Sequence, residues 1–168
     1  TLGGNFGIVT TIPQFVTFVA DDPDDADNIF SNGDTLTINF NIATNATADG
    51  AISQAEIDAN FTLAGGGAPD FGTTYTGVWS ADSKTLTITV TDVTGGSLTT
   101  GTTTVAGART TTIAAASGGN EDLINSGGDT ATLSGDFGLY EASGYYNCGD
   151  CIPPTLGQSD DGRQLVQN

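Results

Sequence analysis

The chain has 168 residues, of which 20 are acidic, three basic and none histidine, giving a formal charge of -17 at neutral pH. That balance argues against nucleic acid and disfavours an anionic lipid surface as partners, since both demand a cationic footprint. The missing histidine excludes His-based triads and Cys–His dyads.

Threonine is the commonest residue and helix formers are few, so composition predicts an all-β chain with its β-branched and aromatic residues on a pleated surface. A surface this acidic repels itself, and salt, divalent cations or a cationic partner relieve the repulsion. No run of 18 apolar residues occurs, so membrane insertion by a helix is not expected.

The first segment, TLGGNFGIVTTI (1–12), is small, apolar and β-prone, and Pro13 ends it. It is read either as an extended donor-type strand that completes a neighbouring subunit through Leu2, Phe6, Ile8, Val9 and Ile12, or as a strand on its own sheet. A start at Thr1, with neither Met nor a leader pattern, is what a mature secreted chain would show.

Strands are predicted over 14–20, 35–41, 73–80, 85–91, 102–107, 109–115 and 130–138, separated by Gly, Asp and Asn. In TLTITVT (85–91) Leu86, Ile88 and Val90 face one way and the threonines the other. Such short, regularly spaced strands predict an antiparallel β-sandwich. One helical turn interrupts them: in SQAEIDANF (53–61) Ser53 and Glu56 have capping-box spacing, and Ile52, Ile57 and Phe61 would seat it on the sheet. SADSK (80–84) is the predicted hairpin turn between Trp79 and Thr85.

Between the first two strands lies ADDPDDADNIFSNGD (20–34), with six aspartates and no base. Carboxylates this close raise one another's pKa, and a hard cation resolves the conflict. Calcium accepts six to eight oxygens in flexible geometry, whereas magnesium is stricter. The candidate ligands are Asp21, Asp22, Asp24, Asp25, Asp27, Asn28 and Asp34. The EF-hand spacing is absent. A solvated acidic loop, with Asp22-Pro23 and Asn32-Gly33 as ordinary turns, is the other reading. A second, weaker ligand set is Asn120, Glu121, Asp122 and Asp129.

Two echoes run through the chain. FSNGDTLTI (30–38) and NSGGDTATL (125–133) share a turn-to-strand pattern, which a recurring turn type explains. TLGGNFG (1–7) repeats TLSGDFG (132–138) at five of seven positions, so the opening segment looks like the last strand of a domain.

The two cysteines, Cys148 and Cys151, sit in CGDC before Pro153-Pro154, which forbids the helix of a thioredoxin-like motif. A small disulfide-closed loop in an oxidising compartment is favoured over a metal site completed by another chain. Asn45-Ala46-Thr47 and Asn60-Phe61-Thr62 match the glycan acceptor pattern, making Asn45 and Asn60 glycosylation candidates. No phosphate loop follows from the glycine runs, and no catalytic residue is nominated.

VTFVADDPDDADNIFSNGDTLTINFNIATN, SQAEIDANFTL, YTGVWSADSKTLTITVTD and TLSGDFG together resemble an immunoglobulin-like or cadherin-like tandem repeat of large secreted surface proteins of archaea, especially ammonia-oxidising ones, and of some bacteria. The resemblance covers roughly residues 15–138, and the stretch from Cys148 is similar to the linker into a following module. It implies an immunoglobulin-like sandwich, calcium as cofactor, and surface arrays, S-layer-like coats or extracellular filaments.

The expectation is therefore a donor-type strand over 1–12, a sandwich over 13–138 and a disulfide-containing tail over 139–168. The protein would be a non-enzymatic, calcium-bound subunit of a head-to-tail homopolymer at the cell surface. The alternative is an adhesin-type module that grips a glycan or another protein.

Overall fold

A computed structural model describes residues 12–25, 29–116 and 129–138. The fold there is mostly strand with one short helix. In chain order the elements are β1 (Phe15–Asp21), β2 (Thr35–Phe40), β3 (Ala51–Ile52), α1 (Gln54–Asn60), β4 (Phe61–Ala64), β5 (Thr74–Trp79), β6 (Thr85–Asp92), β7 (Thr104–Gly107) and β8 (Thr130–Gly135).

The strands join into one eight-stranded sheet with the order β3-β5-β6-β2-β1-β8-β7-β4. Alternation builds it. In β2 and β6 the inward Leu36, Ile38, Leu86, Ile88 and Val90 have no exposed surface, and threonines occupy the outward positions. On the outer face Asn39 Nδ2 donates to Thr17 Oγ1 at 2.7 Å, and Thr85 Oγ1 donates to Asn39 Oδ1 at 2.7 Å, linking three strands.

The sheet curls. The ring of Phe61, on the edge strand β4, lies 6.3 Å from that of Phe15 and 6.5 Å from that of Phe40, which belong to the central strands. Trp79 closes the same cluster at 5.8 Å from Phe40. One continuous curled sheet stands where two separate sheets were expected, so the chain is all-β, and the antiparallel expectation holds for every pair but one. The exception is β1 with β8, which run parallel with Phe18 beside Leu133, Val19 beside Ser134 and Ala20 beside Gly135.

The helix forms as its capping box predicts. Glu56 N–H donates to Ser53 Oγ, and Ser53 N–H donates to Glu56 Oε2 at 2.8 Å. Ile52, Ile57 and Phe61 are all buried. The 80–84 turn also stands as expected: Ser80 N–H donates to the Thr85 carbonyl at 2.8 Å.

The strand expected over 109–115 does not form. Asn60, at the helix end, captures that segment instead: its Oδ1 accepts Thr112 N–H at 2.8 Å and the Thr111 hydroxyl at 3.2 Å. Ala115 makes an isolated bridge to Thr44. The short strands β3 and β4 were not anticipated. Of the first segment only Ile12 is described, half-buried beside buried Pro13. Leu2, Phe6, Ile8 and Val9, and the tail over 139–168, lie outside the described residues.

The helix residue Ile57 packs over β5 at Gly77, where an added Cβ would lie 3.4 Å from Ile57 Cδ1, 2.7 Å from Ile52 Cγ2 and 2.9 Å from Leu86 Cδ1. Gly77→Val is expected to lower the unfolding free energy by about 1–3 kcal/mol through overpacking. A lowered urea midpoint at constant slope reads this out; an unchanged midpoint would contradict the seating.

Candidate metal centre

The site lies where β1 ends and β2 begins. Asp34 precedes Thr35 and shares parity with Leu36, Ile38 and Phe40, so the strand alternation turns its side chain inward. Its residue has 0% exposed surface. Asp34 Oδ2 accepts the Ser31 N–H at 2.6 Å. Asp34 Oδ1 is buried with no hydrogen-bond partner among the described residues. Burial raises the carboxyl from the ordinary 3.8 to about 6; the Ser31 N–H opposes that rise, and the charges of Asp22, Asp24 and Asp25 add to it.

Two more carboxylates converge on this one. One oxygen each from Asp22, Asp24 and Asp34 lies within 4.8 Å of the other two. Oxygens bound to one calcium at about 2.3–2.6 Å can be at most about 5 Å apart, so the three fit a shared calcium ion. The remaining coordination positions would fall to water or further oxygen donors.

Local chemistry fixes both halves of the cluster. Asp22 Oδ1 accepts the N–H groups of Asp24 at 3.2 Å and Asp25 at 3.1 Å, an Asx turn that folds the loop back. Opposite, Gly33 has φ +104, a conformation that glycine adopts freely. Its N–H donates to the Val90 carbonyl at 2.8 Å, Val90 N–H donates to the Asp34 carbonyl at 3.0 Å, and Asn32 Oδ1 accepts Val93 N–H at 2.6 Å. The turn is thus clamped to β6. The Asp24 carboxylate packs against the bare Cα of Gly33, where any Cβ would collide with it. Gly33 is the functional residue that ligand counting overlooked, and its signal was the Asn-Gly pair.

The other nominated residues separate. Asp21 ends β1 on the exposed side and is not among the three converging carboxylates. Asp25 is exposed and adds charge next to Asp34. Asp27 and Asn28 lie outside the described residues, as do Asn120, Glu121 and Asp122 of the second set. Asp129 of that set accepts the Phe15 N–H at 2.5 Å and so caps the start of β1. Cys148 and Cys151 also lie outside the described residues.

The two glycan candidates differ. Asn45 is exposed, with Nδ2 donating to the Thr112 carbonyl at 2.9 Å. Asn60 is 7% exposed and its Nδ2 donates to the Glu56 carbonyl at 2.7 Å, so in the folded domain it is a structural joint and not an open acceptor.

Two shallow cavities lie elsewhere. One of about 160 Å³ is lined by Asp58, Asp70, Phe71 and Tyr75, among others, with the Tyr75 hydroxyl donating to Asp58. The other, about 220 Å³, lies beside Trp79 and Glu56. No helix among the described residues is long and apolar enough to cross a membrane. Comparison with protein-family models, curated proteins and solved structures yields no match for this chain.

Between pH 3.8 and about 6 the folded chain holds a proton on Asp34 that the unfolded chain has released. Without calcium, stability therefore falls as pH rises through that window. Asp34→Asn is expected to raise the melting temperature in EGTA at pH 7 and to abolish the further rise on adding calcium. The wild-type-minus-variant difference across the window isolates the group; a variant that still responds to calcium would dismiss Asp34 as a ligand. Gly33→Ala should displace Asp24 and weaken calcium binding by about 10–100-fold, measured by calorimetric titration, while the β-sheet circular dichroism stays unchanged.

Proposed function

We propose that this chain is a calcium-stiffened structural subunit of an extracellular polymer, whether filament, tube or S-layer-like array, built by head-to-tail association of its own copies. The observation that carries the reading is the buried Asp34, whose Oδ1 has no hydrogen-bond partner among the described residues and whose carboxylate converges with those of Asp22 and Asp24. A cation bound there would tie the β1–β2 junction to the end of β6 through the Gly33–Val90 clamp. It would also offset part of the -17 charge that opposes packing of copies. Sites with few fixed carboxylates suit the roughly 0.1–1 mM affinities of extracellular calcium modules, which supports a location outside the cell.

The curled sheet supports the finer reading of an immunoglobulin-like sandwich. In it β3-β5-β6-β2 form one wall, β8-β7-β4 the other, and β1 is shared through its antiparallel and parallel neighbours. Residues 1–12 serve as the strand exchanged between subunits. The adhesin alternative draws less support from the described residues, where the two cavities noted above, of about 160 and 220 Å³, fall below the ~300–1,000 Å³ of ordinary ligand pockets.

Electron microscopy of the purified chain with millimolar calcium should show regular assemblies that fray in EGTA. Dispersed single domains under both conditions would overturn the polymer and leave the binding-module reading.

A further inference from the structure

TLGGNFG (1–7) and TLSGDFG (132–138) agree at five positions. The structure explains which five. Leu133 has no exposed surface and Phe137 has 8%, stacking at 4.9 Å on Phe30. Gly135 has φ +78, and an added Cβ there would collide with the Ala20 carbonyl oxygen. Gly138 has φ +81 and is buried. Each of these four has its identical counterpart in Leu2, Phe6, Gly4 and Gly7, and exposed Thr132 has Thr1.

The two positions that differ are neither fully buried nor at positive φ, and of the five that agree only Thr132 shares that description. Ser134 is exposed and its Oγ donates to the Phe18 carbonyl at 3.0 Å, a bond that Gly3 forgoes. Half-buried Asp136 accepts the Gly138 N–H through Oδ1 at 3.2 Å, a role the Asn5 amide oxygen can fill for Gly7. Shared composition alone would not sort identities and differences by burial and backbone conformation in this way.

The geometry points to residues 1–7 of one copy as an alternative occupant of the β8 slot in a second copy, parallel to β1, with Leu2 beside Phe18, Gly3 beside Val19 and Gly4 beside Ala20. This rests on the assembly reading above and gives it a register. The occupant comes from another copy because a parallel neighbour of β1 needs a crossover of about a dozen residues or more, and only residues 8–14 separate Gly7 from Phe15. The duplicate keeps the three pairings with β1 and the Leu133 and Phe137 positions and gives up the Thr130 and Ala131 pairings with β7, so the exchange shifts with concentration, as in domain swapping. Each copy offers one such strand and one such slot, and they are different surfaces, so the contact propagates. The slot ends at Ala20, next to the aspartate loop, so the exchanged strand and the cation site share one junction.

The test mixes unlabelled full-length Gly3→Cys chain with ¹⁵N-labelled Val19→Cys chain under assembly conditions, followed by mild oxidation and peptide mass spectrometry. A mixed-label disulfide joining positions 3 and 19 is expected. It should be absent when Val16→Cys, exposed but off register, replaces Val19→Cys. Gly4→Val should abolish assembly at an unchanged monomer melting temperature, whereas Asn5→Asp should assemble. Assemblies that form without the 3–19 link, or persist with Gly4→Val, would overturn this register and leave the polymer standing. Wild-type chain that never assembles would overturn both.

Discussion

A carboxylate sealed from solvent, with one oxygen unpaired among the described residues, is the constraint around which this domain is arranged. Asp34 cannot simply be tolerated there: a buried charge without a counter-charge is costly, and a proton or a cation must balance it. Asp22 and Asp24, whose oxygens stand within 4.8 Å, raise the cost of leaving that charge bare, and the three carboxylates together offer a cation a common site. The surrounding chain serves that arrangement through the Gly33 turn, the Asx turn at Asp22 and the clamp onto β6. Loop and sheet are thereby coupled, so whatever occupies the loop also sets the rigidity of the β1–β2 connection.

That connection is also the middle of the sheet. β1 holds β2 on one side and β8 on the other, and the curl brings edge strand β4 back over Phe15 and Phe40. A strand with one antiparallel and one parallel neighbour joins the two halves of the curled sheet. It is therefore the place where loss of one neighbour opens the domain without dismantling the Leu36, Ile38, Leu86 and Ile88 core.

Much of this was legible in the residues. TLTINF and TLTITVT announce their strands by alternation alone, and Ser53 with Glu56 announces the helix. The aspartate run announces a carboxylate cluster, but ligand counting could not separate inward Asp34 from outward Asp21; the parity of β2 does so. RTTTIAA reads as a strand because its pattern is strand-like, yet a distant side chain, Asn60, takes up backbone groups that a ladder would have used. FTLA was hidden by its brevity, directly behind the helix. The parallel pairing of β1 and β8 was beyond reach, because alternation specifies which face a residue takes and not which strand lies beside it.

The scarcity of basic residues has a further effect at the turn over 80–84. Proteases of trypsin specificity cut after Lys or Arg, and the chain has three such residues. Lys84 sits with its N–H bound to Asp82 Oδ1 and its carbonyl bound to the Phe40 N–H, so the peptide on each side is held against the extended conformation a protease cleft requires. Arg109 follows Ala108, whose N–H donates to the Asn60 carbonyl and whose own carbonyl accepts the Thr111 N–H. Among the described residues, Lys84 and Arg109 thus give this class of digestive enzyme little to attack, and the third basic residue, Arg163, lies outside them.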